Sequence, residues 1–397
     1  MHNRTEHRFH PDSARLADRV RRLRLIHGFD QAELGKRLGV SSGTVSTLES
    51  GRLVPSSDVM KRLVETFRCS ESYFVNPTEV GPLSRPWLRA YADASKRALD
   101  RQIADCTLAV EAIELLQLRT LPAIIPMYRG DVLDEDDIEQ YALEVRAQID
   151  LGPTEVVGNT IRACERLGCV VLPMREELGR HLGLSIRSGV APIICVSRPS
   201  TGHVQGVPGD RQRFTVAHEL GHVALHAMVG PPQTAEDAAL IERQAHRFAG
   251  AFLAPGDGMS ESLKEHGGRV TLRTLALIKG DWGISIKALV TRFRVLGVID
   301  DDQARSLFKQ ISSRGWNTSE PVEVGNESAV WLTKSLARRA RGDDPTQAAV
   351  AASGIHASHF QRWTDWSPTG APAEIVSLAE RRSRRTPPTA SPRITSP

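Results

Sequence analysis

The chain has 397 residues, 40% hydrophobic and 25% charged, with a net charge of +4 and a pI of about 8.9. That balance suits folded domains, two to four at this length, and its mild basicity permits contact with nucleic acid. It argues against a membrane protein, since no apolar run approaches the roughly 18 residues of a span and no basic-then-apolar leader opens the chain. Five scattered cysteines (Cys69, Cys106, Cys164, Cys169 and Cys195) form no C-x-x-C pair, which fits a reducing cytoplasm better than a disulfide framework.

Residues 1–11 are polar and, despite His2, His7 and His10, read as a frayed terminus. From Ala14, Leu16, Val20, Leu23 and Leu25 give a first helix its apolar face, and Gly28 ends it. Residues 31–38 form a short second helix, Gly39-Val40 the turn, and Ser41 the cap of a third helix running to about Leu48. Leu34, Leu38, Val40, Val45 and Leu48 have the spacing that holds two helices at a steep angle. Val59, Leu63, Val64 and Phe67 add a packing helix. Residues 31–51 resemble the core of the Cro/CI-type (XRE) DNA-binding domain, with Gly35 where a small Ala is usual. The resemblance implies that Ser42, Thr44, Ser46 and Thr47 face the major groove of double-stranded DNA and that Gln31 approaches a phosphate. Arg52, with Arg37, Lys61 and Arg62, supplies charge toward the backbone. Residues 11–75 carry eleven basic and eight acidic side chains, a net of +3. The plainer alternative is a three-helix protein-interaction module.

Pro77, Pro82 and Pro86 break the helical pattern and mark a linker. Residues 87–118 then form a connector or dimerisation helix, in one piece or two. Residues 131–151 read as an acid-capped helix, and 154–167 as another ending at Gly168. Residues 169–172 and 193–196 are rich in β-branched side chains and strand-like, with 183–186 a third strand and 174–181 a charged loop. The Gly/Pro-rich residues 199–209 are expected to border a cleft.

His218-Glu219-x-x-His222 follows, on a helix expected to start at an Asp210 cap. Residues four apart share a helix face, so both imidazoles can reach one zinc ion at about 2 Å. Glu219, at the edge of that face, is placed to act on a water as general base. Gly221 costs about 1 kcal/mol against Ala inside a helix, which implies close approach by a neighbouring backbone. A catalytic zinc usually takes a third protein ligand. The next helix, around the stripe Ile241, Ala245, Phe248, Ala249 and Phe252, offers Glu242, a carboxylate that is costly beside apolar neighbours unless paired. Glu236 and Asp237 sit in the first turn, where acids complement the helix dipole. His246, one turn after Glu242, can ligate but better suits orienting a ligand. His226 lies on the metal face, where a packing role is an equal reading. Met228 stands where the longer metzincin pattern has its third His.

The runs 211–226 and 242–255 closely resemble the ImmA/IrrE family of zinc metallopeptidases, and the strands near Cys169 and Cys195 resemble that family's short sheet. The resemblance covers roughly residues 151–255. It implies a small gluzincin-like fold, zinc on His218, His222 and Glu242, Glu219 as base, and helix-turn-helix repressors as substrates. The family usually has Asn or Asp where this chain has His246. His226, Arg213 and His246 are the candidates for stabilising the oxyanion.

Beyond Pro255, residues 270–277 and 284–296 read as helices completing the peptidase core, with Trp282 and Trp316 as packing residues. Residues 344–363 have the small-residue helix, Gly354 turn and second helix of either another helix-turn-helix or a plain hairpin, with Phe360 and Trp363 buried. Residues 381–385 open a basic tail without fixed structure. The expected fold is α+β and mostly helical: a helix-turn-helix domain (12–76), a linker and connector (77–130), a zinc metallopeptidase domain with a small sheet (131–310) and a helical C-terminal region (311–397). The expected function is a cytoplasmic regulator that binds DNA, as a homodimer if its half-sites are paired, and cleaves a helix-turn-helix repressor or itself. The alternatives are a transcription factor whose peptidase-like domain only senses a metal or ligand, and a toxin or anti-repressor of a mobile element.

Overall fold

A computed structural model describes residues 11–366 except 79–80, 82, 84–94, 127, 129–133, 176–177, 180, 198–206, 228 and 231. The polar N-terminus, most of the linker, the start of the connector, most of residues 199–209, Met228 and the basic tail lie outside the described residues. Helices dominate the described chain around one three-stranded sheet, as the α+β reading expects.

Capping chemistry sets the front end. α1 (Pro11–His27) leads to α2 (Gln31–Leu38), whose Asp30 and Glu33 form a reciprocal capping box. Gly39 closes α2 at φ 66°, a left-handed conformation that favours glycine. Ser41 then caps α3 (Ser42–Glu49) by accepting from the Thr44 N–H at 3.0 Å. α4 (Ser57–Phe67) and a short α5 (Glu71–Val75), not foreseen in the sequence, complete the unit.

α6 (Lys96–Leu115) packs along α1. Its buried Glu111 accepts from Arg19 at 2.6 Å and from the Tyr73 hydroxyl at 2.7 Å, and also pairs with Arg22. The connector helix is thereby built into the core of the front domain. α7 (Glu135–Ala147) starts at an Asp134 cap. The helix expected over 154–167 is shorter: α8 runs only Thr160–Arg166, capped by Asn159. Buried guanidinium groups explain the difference. Arg146 takes the carbonyls of Gly152 (2.6 Å) and Glu155, and Arg213 takes those of Val157 (2.5 Å) and Gly158 (3.4 Å), so these carbonyls serve no helix.

The strands β1 (Val170–Pro173), β2 (Gly183–Arg187) and β3 (Pro192–Val196) form a sheet in the order β1-β3-β2, parallel between β1 and β3 and antiparallel between β2 and β3. Both faces are covered. Val170, Leu172, Leu184, Ile186, Ile193 and Cys195 join the core of the front domain and α6. Cys169, Val171, Ile194 and Val196 join a second core behind the sheet. This period-2 division makes the sheet a wall between two cores.

The second core is completed by α9 (Gly209–Leu225), α10 (Ala235–Leu253), α11 (Gly256–Glu265), α12 (Leu272–Trp282), α13 (Ile286–Val295) and α14 (Asp301–Ser313). Trp282 is buried there and Trp316 packs against it, as expected. The chain then returns to the front domain through α15 (Trp331–Ala340), α16 (Pro345–Ser353) and α17 (Ala357–Thr364). Phe360 and Trp363 are buried, the Trp363 indole donates to Asp105 of α6 at 3.1 Å, and the Ser70 N–H donates to the Gly354 carbonyl at 2.8 Å. The α16–α17 pair therefore packs inward on the front domain.

Candidate metal centre

Asp210, expected as the cap of α9, lies instead inside its first turn, where its carboxylate binds the buried Lys279 ammonium at 2.5 Å. Pro208 precedes the helix and gives no side-chain cap. The helix start is anchored by this ion pair and by Gly209. A Cβ at Gly209 would fall 2.3 Å from the Val324 and Gly325 carbonyl oxygens.

Further along, α9 and α10 approach closely at Gly221. A Cβ there would lie 3.2 Å from the Cα and carbonyl oxygen of Ala245 and 3.1 Å from Phe248 Cδ1. This bears out the close approach expected for Gly221 and brings α10, with Glu242, to the His face of α9.

Three donors converge at that crossing. His218 Nε2 and His222 Nε2 are 3.1 Å apart. The Glu242 carboxylate oxygens lie 3.3 Å from His218 Nε2 and 3.4 Å from His222 Nε2. Tetrahedral donors around an ion at roughly 2.0–2.1 Å are about 3.3 Å apart, so this set fits zinc in spacing and donor type. Burial raises the Glu242 pKa, but hydrogen bonds from both imidazoles outweigh it and hold the carboxyl well below its usual range. Burial lowers the His218 pKa, and the Glu242 hydrogen bond with the charges of Glu219 and Glu242 brings it above its ordinary value. The pocket is one that favours positive charge.

Glu219 is buried beside this set and lines a cleft of about 390 Å³ with His218 and Glu242. Gly183 of β2 faces it so closely that a Cβ would lie 2.8 Å from Glu219 Oε1 and 2.6 Å from Thr215 Cγ2. The sequence marked Gly183 only as a strand start. It also passed over His181 and Arg211, which line the same cleft.

The three oxyanion candidates separate. His246 lines the cleft, its ring centroid 4.9 Å from that of His218 and 5.2 Å from that of Phe214. His218 Nδ1 is buried and has no hydrogen-bond partner among the described residues, so His246 does not supply one. His226 lies behind His222, with Nδ1 3.2 Å from His222 Nδ1 and Nε2 3.1 Å from Gln244 Oε1. Burial, aided by the His222 charge, pushes its pKa down to about 4, so the ring is neutral at pH 7. Arg213 is a correction. Buried at 2% exposure, it pairs with Glu327 and with the carbonyls of Val157 and Gly158, and it does not line the cleft. A cation held by a carboxylate more than a hundred residues distant had no local signal in the sequence.

At the front end, α3 packs chiefly on α1 and α2. Ser42 is exposed, and Ser46 and Thr47 are half-buried. Thr44 Oγ1 contacts Ser41 Oγ at 2.9 Å, and Thr47 donates to the Gly43 carbonyl at 2.9 Å. Gln31, expected to approach a phosphate, donates one amide hydrogen to Glu49 at 3.0 Å, and Glu49 also pairs with Arg24. Arg52 is exposed and turned to Ser50 at 2.8 Å.

Residues 164–294 match the peptidase M78 family model, described as an IrrE N-terminal-like domain, and residues 15–72 match a helix-turn-helix domain. The chain thus carries a helix-turn-helix DNA-binding domain followed by a peptidase-like domain. No curated protein and no solved structure is significantly similar to it. Among the described residues no helix is long and apolar enough to cross a membrane.

Proposed function

We propose that this DNA-binding regulator is also a zinc-dependent endopeptidase that cleaves a helix-turn-helix repressor, in trans or in its own front domain. The observation that carries the reading is the meeting of His218, His222 and Glu242 within 3.1–3.4 Å, with Glu219 lining the same cleft. His218, His222 and Glu242 would hold the ion, and zinc bound there would supply Lewis acidity toward the scissile carbonyl and the attacking water. Glu219 takes the proton of that water on its carboxylate and returns it to the leaving amine nitrogen. His246 is the oxyanion candidate that lines the cleft. Among the described residues β2 ends the sheet beside the base, where strand addition is the mode by which an extended peptide would bind. The repressor as substrate class rests on the family resemblance alone. Intact Glu219 favours hydrolysis over sensing, because an ion held only for structure has no use for a buried base.

At the front end, Ser42, Thr44, Ser46 and Thr47 are the proposed groove-facing residues, with Gln31 and Arg52 toward the backbone. Paired half-sites would call for a homodimer. The deciding experiment replaces Glu219 by Gln. Zinc content should persist while cleavage of a helix-turn-helix repressor disappears; cleavage that survives removes Glu219 from the mechanism.

A further inference from the structure

We propose that Cys106 and Cys195 form a peroxide-oxidisable dithiol, a modification site whose disulfide bolts the connector helix of the DNA-binding half to the sheet of the peptidase-like half. The inference is independent of the metal reading above.

Cys106 lies on α6 and Cys195 on β3, 89 residues apart in the chain, and their Sγ atoms meet at 3.2 Å. A disulfide needs about 2.05 Å, so roughly 1 Å of closure bonds them. Both side chains are fully buried. Gln102, one turn before Cys106, spans the pair: its Nε2 donates to Cys106 Sγ at 3.4 Å and to Cys195 Sγ at 3.5 Å. Its Oε1 accepts from the Arg175 N–H at 2.7 Å, which fixes the amide with its donor side toward the sulfurs. A donor aimed at sulfur favours the thiolate, the form that attacks an oxidant. Against this, the hydrogen bond with Cys106 and then burial push the Cys195 thiol well above its ordinary pKa. The seated pair is therefore kept reduced, and oxidation starts when α6 lifts from the sheet and admits a small oxidant.

Hydrogen peroxide balances the step. One thiolate attacks a peroxide oxygen, the O–O bond breaks, and the departing hydroxide takes up the thiol proton as water, leaving a sulfenic acid. Once α6 reseats, the second sulfur attacks the first. The S–S bond forms, the S–O bond breaks, and the second thiol's proton leaves with hydroxide as water. Two sulfurs are oxidised and the two peroxide oxygens are reduced; a thiol reductant reverses the bond by exchange. In the sheet Cys195 pairs with Leu184, next to Gly183, which packs on Glu219. The bond thus fixes the front half to the strands that border the cleft.

The test treats the reduced full chain with hydrogen peroxide, blocks the remaining thiols, and maps the peptides by mass spectrometry. A Cys106–Cys195 crosslink is expected, together with a higher urea midpoint, since the bond constrains a long loop of the unfolded chain. Dithiothreitol should reverse both. Cys195→Ser should abolish both, and Cys106→Ser should do the same. The comparison of oxidised with reduced wild type needs neither variant to fold. Absence of the crosslink, a bond through Cys69, Cys164 or Cys169 instead, or a midpoint shift that survives in the serine variants overturns the proposal.

Discussion

Gly221→Ala sets two effects of known size against each other. In an ordinary helix interior the change stabilises by about 1 kcal/mol through propensity. Here the added methyl would meet the Ala245 Cα and carbonyl oxygen at 3.2 Å and Phe248 Cδ1 at 3.1 Å. Two of these three atoms are backbone, which cannot swing aside as the end of a flexible side chain can. Overpacking of this kind typically costs about 1–3 kcal/mol. Crowding should therefore win, leaving a net loss of roughly 0–2 kcal/mol after the propensity gain. The relief open to the molecule is to move α10 away from α9 by a few tenths of an ångström. Glu242 stands on α10 three residues before Ala245, so the proposed third ligand moves with it. Functional sites must be held within roughly 0.5 Å of their working geometry and a shift of this size uses up much of that margin, so zinc affinity should fall severalfold even where stability barely changes. Urea unfolding gives the first quantity and chelator competition the second. A variant that gains about 1 kcal/mol and binds zinc as tightly as the wild type would refute the view that this glycine sets the spacing of the site.

The remaining predictions concern two further histidines. His218 Nδ1 has no hydrogen-bond partner among the described residues, and His246 offers it a ring rather than an acceptor. His246→Asn should supply a carboxamide oxygen and tighten zinc binding about tenfold, which a chelator titration reads; unchanged or weaker binding counts against it. His359 of α17 is buried, and its burial followed by the charges of Arg362 and Arg175 pushes its pKa down to about 2. The unfolded chain binds a proton there near pH 6.5 while the folded chain does not. The stability from the neutral ring is thus complete above that pH and falls away as acid is added below it. Urea midpoints measured from pH 7.5 to 4.5 should fall, and His359→Phe should flatten that slope; an equal slope in the variant would contradict it.

The proposed ligands were legible because the signal is local. His218 and His222 are one helical turn apart, and Glu242 borders the apolar stripe of the next helix, so periodicity alone nominated them. The three strands and the helix-turn-helix spacing were readable for the same reason. Contacts between distant residues were not. The short α8 depends on Arg146 and Arg213 claiming carbonyls that a helix would otherwise use. Arg213 itself belongs to Glu327, and Asp210 to Lys279, partners that no pattern of spacing identifies. The all-apolar β1 announced burial on both faces without saying what would cover each. That α6 and α17 meet at Asp105, through the Arg362 and Trp363 side chains, appears only once the chain is folded.

The two-sided sheet bears on any attempt to take this molecule apart. A fragment beginning near residue 131 would keep the candidate cleft but lose α6, whose Cys106 meets Cys195 on one side of the sheet, and would leave α17 to cover β1 there. The apolar side chains of β2 and β3 on that side would then lose part of their cover and form a greasy patch. Such a surface invites self-association, so the rear half is poorly suited to standing on its own. Dissection by point substitution suits this architecture; dissection by scissors does not.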